Sequence, residues 1–223
     1  MMAKAKVPET KKVVITAPDL RKLLFKIQGT APYVQLRFSE KKKKRMMDAM
    51  TAEGQAAKRT RSKAGREPRE FEGEYEDAMY QTAEGLRGIP AAAFRVACIS
   101  ACRLVNFKMT LGKLSLFCEA SGIDEKEGIP LVILKGDPER VTHTVTNADG
   151  SHDVRTRAMW RKWTAEVIMK YDADQFQAQD VINLLMRVGM QVGIGEGRHD
   201  SKSSKSAGMG WGTFDVVKAT EVV

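Results

Sequence analysis

VGIGEGRHDSKSSKSAGMGWGTFDVV, residues 192–217, carries six glycines between Gly193 and Gly212 and ends on an apolar run. Upstream, Val181, Ile182, Leu184, Leu185 and Val188 share one helical face. Asp180 lies in the first turn of that helix, where the dipole favours negative charge, and Gly189 is placed to end it. Downstream, TFDVV (213–217) reads as the last strand. Glycine weakens strands and costs chain entropy, so this loop implies backbone that must approach something closely.

The remaining elements are read outward from that unit. YVQLRF (33–38) alternates over strand length and is taken as the first strand. A basic insertion fills 39–73. Pro90 suits a first helical turn, and Phe94, Ala97, Cys98, Ala101, Cys102 and Val105 then repeat at helical spacing. Strands are expected at 113–119 and 129–136, then a hairpin protrusion over 137–160 turning at Asp149-Gly150, then a strand at 163–171. The order is β-α-β-β-α-β, which predicts an α+β fold: a ferredoxin-like, RRM-type sheet with helices on one face. The expected boundaries are an N-terminal lead 1–32, a single domain 33–217 with a glycine-rich loop at 190–212, and a tail 218–223.

At 43% hydrophobic residues the chain can bury a sizeable core. No apolar run approaches the ~20 residues of a membrane span, and no signal-peptide pattern precedes the domain. A cytoplasmic protein without membrane partners is expected. Cys98, Cys102 and Cys118 form no CxxC pair, and the first two sit in an apolar stripe that reads as core packing. The net charge is +9, and residues 41–66 hold nearly all of it: ten basic groups against Asp48 and Glu53. Such a block suits a polyanion.

Two stretches carry a resemblance. GLRGIPAAAFRVA (85–97) is similar to the glycine-proline entry into the first helix of the RAMP superfamily, and VGIGEGR…GMGWGTFDVV resembles its C-terminal glycine-rich loop and last strand. Within that superfamily the chain resembles the backbone subunits that coat guide RNA in CRISPR effector complexes, or a stand-alone or mobile-element-encoded relative. The resemblance implies copies that polymerise along a single strand, alongside other CRISPR-type subunits, with one protrusion acting as a thumb. The loop from Arg198 to Gly208 is longer and richer in serine than that family's pattern.

The residue chemistry points to binding rather than catalysis. Glycines such as Gly193, Gly195 and Gly197 can turn successive amides toward phosphate, with Arg198, Lys202 and Lys205 adding charge. The basic segment offers Lys41, Lys42, Lys43, Lys44, Arg45, Lys58, Arg59, Arg61, Lys63 and Arg66 for phosphate contacts. RTRAMWRKW (155–163) interleaves Arg155, Arg157 and Arg161 with Trp160 and Trp163, a composition suited to base stacking beside a phosphate track; Tyr33 and Phe38 are further stacking candidates. No cofactor is expected: there is no Walker or Rossmann pattern, and GIGEGR follows a helix where a dinucleotide site follows a strand. His143, His152 and His199 have no metal-ligand spacing, and no catalytic residue is assigned. The expected function is non-enzymatic binding of single-stranded RNA by a homo-oligomer. The rivals are a single-stranded-DNA-binding or annealing protein of a phage or mobile element, a protein mimic that inhibits a CRISPR complex, and an RNA endonuclease using His143.

Overall fold

The computed structural model describes residues 15–51, 71–146, 152–200 and 207–222. The Asp149-Gly150 turn lies outside the described residues, as do Lys58, Arg59, Arg61, Lys63, Arg66, Lys202 and Lys205.

The elements run β1 (Leu20–Gly29), β2 (Tyr33–Gln35), α1 (Glu40–Met50), α2 (Phe71–Asp77), β3 (Tyr80–Gln81), β4 (Arg87–Pro90) and α3 (Ala91–Ala101). They continue α4 (Met109–Ser115), β5 (Leu116–Glu119), β6 (Gly122–Ile123), β7 (Pro130–Lys135), β8 (Glu139–Thr146), β9 (His152–Trp160), β10 (Thr164–Asp172), α5 (Ala178–Arg187) and β11 (Phe214–Val222). The chain is thus α+β, with antiparallel pairing throughout. The main sheet has the order β11-β1-β10-β7-β4-β3, with β5 also on β10 and β6 on β7. A second sheet has the order β2-β9-β8.

Alternation sets the core. Leu23, Phe25 and Ile27 of β1 and Ala165, Val167, Met169 and Tyr171 of β10 are buried on one face. Helices α3 and α5 cover that face with Phe94, Ala97, Cys98 and Ala101, and with Val181, Leu184 and Leu185. The expected stripe on α3 is therefore core, cysteines included. Helix α5 starts on a capping box between Gln177 and Asp180.

Three elements differ from the sequence expectation. The main sheet begins at Leu20–Gly29, inside the segment taken as a lead, and Tyr33–Gln35 is only a short strand of the second sheet. Half-buried Leu24 between Leu23 and Phe25 blurs the alternation of β1 into what looks like a continuous apolar run. Residues 109–115, read partly as strand, are helical, and the strand proper starts at Leu116. Gly112 lets that helix close on Cys102, since a Cβ there would sit 2.9 Å from its sulfur. The last strand also runs on to Val222, pairing with β1 as far as Lys22↔Val222.

Candidate functional site

The glycine loop leaves α5 through a wide turn, Val188–Val192, that ends on Gly193 at φ 73°. Its two limbs are joined: Ile194 N–H donates to Gly212 C=O at 3.0 Å, and Met209 N–H donates to Gly197 C=O at 2.7 Å. The loop is also held to the segment after β1, by Gly212 N–H to Pro32 C=O (2.8 Å) and Glu196 N–H to Val34 C=O (2.9 Å). A Cβ on Gly195 would lie 2.6 Å from the Tyr33 ring. Much of the glycine requirement is therefore internal: the close approach inferred from the sequence is largely to the protein's own backbone. Among the described residues, the amides of Gly195, Gly197 and Gly210 still meet no acceptor. These are the donors left for a ligand.

The hairpin β8–β9 leans on this loop through one ion pair. Arg157 donates from Nε and Nη2 to the two carboxylate oxygens of Glu196, both at 2.6 Å, and is itself buried. This corrects the expectation that Arg157 meets phosphate, because its fork is filled by a carboxylate. Trp160 needs the same correction. Thr156–Trp160 are all buried, because β9 lies between β2 and β8 with α2 packed on it. Trp160 is fully enclosed, 5.5 Å from the Tyr33 ring, and cannot stack on a base. Trp163 and Tyr33 are core as well, with Trp163 Nε1 donating to Ala31 C=O.

Other expected residues keep an open side. Arg161 is exposed beside Glu139 at 2.8 Å, and Arg155 stands 3.7 Å from Asp153. Arg198 folds back onto Gly195 C=O at 3.0 Å. Lys41 and Lys44 are exposed on α1, while the side chains of Lys42 and Arg45 lie outside the described residues. Lys43 pairs with Glu40 and Glu127. Arg37, buried, donates twice to Glu127 and stacks on Tyr80, so α1 hangs from the turn before β7. Phe38 is half exposed at the foot of α1.

Sequence reasoning passed over the aromatic that does sit in the loop. Trp211 lies among Gly197, Gly210 and Gly212, partly exposed, with its ring centroid 5.5 Å from that of His143 on β8. The Nδ1 of His143 is buried and has no partner. The available signal was position, since Trp211 is the only tryptophan within the glycine run. Hairpin and loop therefore bring together one aromatic pair next to the amides of Gly197 and Gly210, with Arg155 opposite His143 in register and Arg198 following Gly197.

A second clasp ties the loop to the helices. Asp200 accepts from Ser100 Oγ and from Arg103 Nη2 (2.8 Å), and its N–H donates to Val192 C=O at 3.1 Å. Burial pushes the Asp200 carboxyl up, but the hydrogen bonds and the charge of Arg103 outweigh it and hold the group below the usual aspartate range. A depressed carboxylate contributes stability that is complete at neutral pH and is lost as pH falls below the ordinary aspartate range and through its lower folded value. Asp200→Asn is expected to cost about 1–2 kcal/mol at pH 7, the scale of hydrogen bonds to a charged acceptor. The gap to the parent should narrow as pH falls below the ordinary aspartate range in denaturant titrations. A gap that is constant with pH would show that the charge of Asp200 does not matter.

Among the described residues, no group of three or more His, Cys, Asp or Glu is placed to hold a metal, and no helix is long and apolar enough to cross a membrane. No family model matches the chain, and no curated protein matches it. Among solved structures it is similar to a chain in the cryo-EM structure of the Type III-B Cmr-beta bound to cognate target RNA, with a TM-score of 0.44 and 11% identity. The match covers 91% of this chain and 61% of that chain, so this chain spans less than two thirds of the length of the one it resembles.

Proposed function

We propose that the chain binds a single strand of nucleic acid, RNA in preference to DNA, without cutting it, and that copies assemble along the strand. The strand lies along the junction of the β8–β9 hairpin and the glycine loop. One observation carries this reading: Trp211, partly exposed and beside His143, lies next to Gly197 and Gly210, whose amides meet no acceptor among the described residues. A base stacks on the indole while the amides and Arg198 meet phosphate, the combination that single-strand grooves use. The order β11-β1-β10-β7, reached through β1-α3-β7-β10-α5-β11, supports a ferredoxin-like unit as the platform.

Fluorescence anisotropy with labelled RNA and DNA oligonucleotides of equal sequence tests this. Affinity should fall with salt at a log–log slope of about −0.7 per phosphate contacted. Trp211→Ala should weaken binding by about 1–3 kcal/mol, the scale of one stacked base. Trp211→Phe should recover most of that loss. Binding that ignores salt, or a Trp211→Ala protein that binds like the parent, would remove the basis of the proposal.

A further inference from the structure

Two groups of exposed apolar side chains stand on the described surface. The first is in the helical layer, where Leu104, Val105, Met109 and Leu114 are 41–73% exposed, Leu114 most of all. Of these, Val105 lines a cavity of about 360 Å³ between the turn Cys102–Val105 and α5. Its floor is Phe107 against Phe176, with ring centroids 4.7 Å apart, together with Leu184. The second cluster is on α1. Met46, Met47 and Met50 are 49%, 69% and 74% exposed, and their i, i+1, i+4 spacing puts them on one stripe. A contiguous apolar surface of this kind marks an interaction site.

The two clusters complement each other. Helix α1 carries five consecutive basic residues, Lys41–Arg45, against Glu40 and Asp48. The cavity mouth carries Asp180, with exposed Asp174 just before the lining residue Gln175. Arg187 is the cation among its lining residues, and its guanidinium is engaged by Gln191. Methionine is the side chain that best adapts to an irregular apolar slot, and a short amphipathic helix laid in a groove is a recurrent recognition mode. The surfaces also lie at opposite edges of the main sheet. Helix α5 packs on β11, whereas α1 follows Arg37, whose N–H donates to Ala78 just before β3. A single copy presents one of each, and such a contact repeats in line rather than closing on itself.

We propose that the methionine stripe of α1 in one copy docks into the cavity between Cys102–Val105 and α5 of the next. This rests on the reading that copies assemble along a strand, and it names the surfaces that join them. The test is the mass of the full chain by light scattering, alone and with excess 30-nucleotide RNA. The Met47→Glu/Met50→Glu double variant and the Leu104→Glu variant are each compared with the parent. Both substitutions are at exposed positions, and melting curves report that the fold is intact; Val105→Glu, at the exposed residue that lines the cavity, provides a variant in the cavity itself. The parent is expected to form assemblies larger than a dimer. Each variant alone is expected to be monomeric, and an equimolar mixture of the two should pair and stop at two copies, because only one intact joint remains. Met47→Leu/Met50→Leu should assemble like the parent. Variants that assemble as the parent does, a mixture that does not pair, or a parent that is monomeric with and without RNA would each overturn the proposal. An 8-nucleotide RNA separates this from the binding reading. Monomeric variants that hold it as tightly as the parent support an assembly joint apart from the strand site. Assembly as expected with no RNA bound by any protein would leave the joint standing and remove the binding function.

Discussion

Glu196→Ala is expected to lower the melting temperature by on the order of 10 °C. Removing this carboxylate leaves the Arg157 guanidinium buried without its partner, and breaking a buried pair from one side costs about 3–5 kcal/mol. In a chain of this size each kcal/mol moves the midpoint by about 2–4 °C. The loss has a diagnostic pattern. Arg157→Lys should recover only part of the parent's stability, because a single ammonium cannot reproduce the two parallel bonds at 2.6 Å. Arg157→Met combined with Glu196→Ala should restore most of it, because an apolar pair leaves no orphaned charge. The same variants should weaken nucleic-acid binding, since the pair is what holds the hairpin against the loop that carries Trp211. A Glu196→Ala protein that melts with the parent would show that water or another group replaces the carboxylate.

Gly212→Ala is expected to be worse, with little folded protein at 37 °C. The φ of Gly212 is 71°, and an added Cβ would sit 1.7 Å from the Ile194 carbonyl oxygen. That overlap is with backbone, so relief means separating the loop's two limbs and breaking Ile194 N–H to Gly212 C=O and Gly212 N–H to Pro32 C=O. A loss above about 4 kcal/mol belongs to the class of buried steric conflicts. Gly128 supplies the control. Its φ is also positive, at 65°, but a Cβ there meets nothing within 4 Å. Gly128→Ala should cost only about 1–2 kcal/mol, the left-handed backbone penalty alone. Equal losses at the two positions in urea titrations would mean that the contact with Ile194 is not what requires glycine.

The parts of the fold that were legible in sequence are those with a clean period. Ala165, Val167, Met169 and Tyr171 recur at every second residue, broken only by Ile168, and form the buried face of β10, and the stripe from Phe94 to Cys102 forms the buried side of α3. Strand β1 escaped notice because Leu24 and the flanking lysines, on the other face, fill the gaps between Leu23, Phe25 and Ile27. The candidate site was half legible. A glycine loop beside basic residues could be seen, but its division between self-contact and free amides depends on segments far apart in the chain, such as Pro32 and Val34. Trp160 misled for a similar reason. Arginine and tryptophan interleaved in RTRAMWRKW look like an exposed track, whereas that strand lies between β2 and β8 with α2 packed on it, and Thr156–Trp160 are all buried. Composition does not reveal which of three tryptophans meets solvent. That depends on tertiary neighbours, and only Trp211 sits where the neighbours are mostly glycine.

The pairing of β1 with β11 brings residues 20–29 together with residues 214–222, almost the full length of the chain apart. During synthesis the first strand must wait for nearly all the others, with one edge bare and the side chains of Leu23, Phe25 and Ile27 on the sheet it will complete. Folding is therefore dominated by distant contacts, which makes it slow. The bonds of Gly212 to Pro32 and of Ile194 to Gly212 form only when that last strand docks, so a ribosome-bound chain can display its lysine helix well before Trp211 reaches His143.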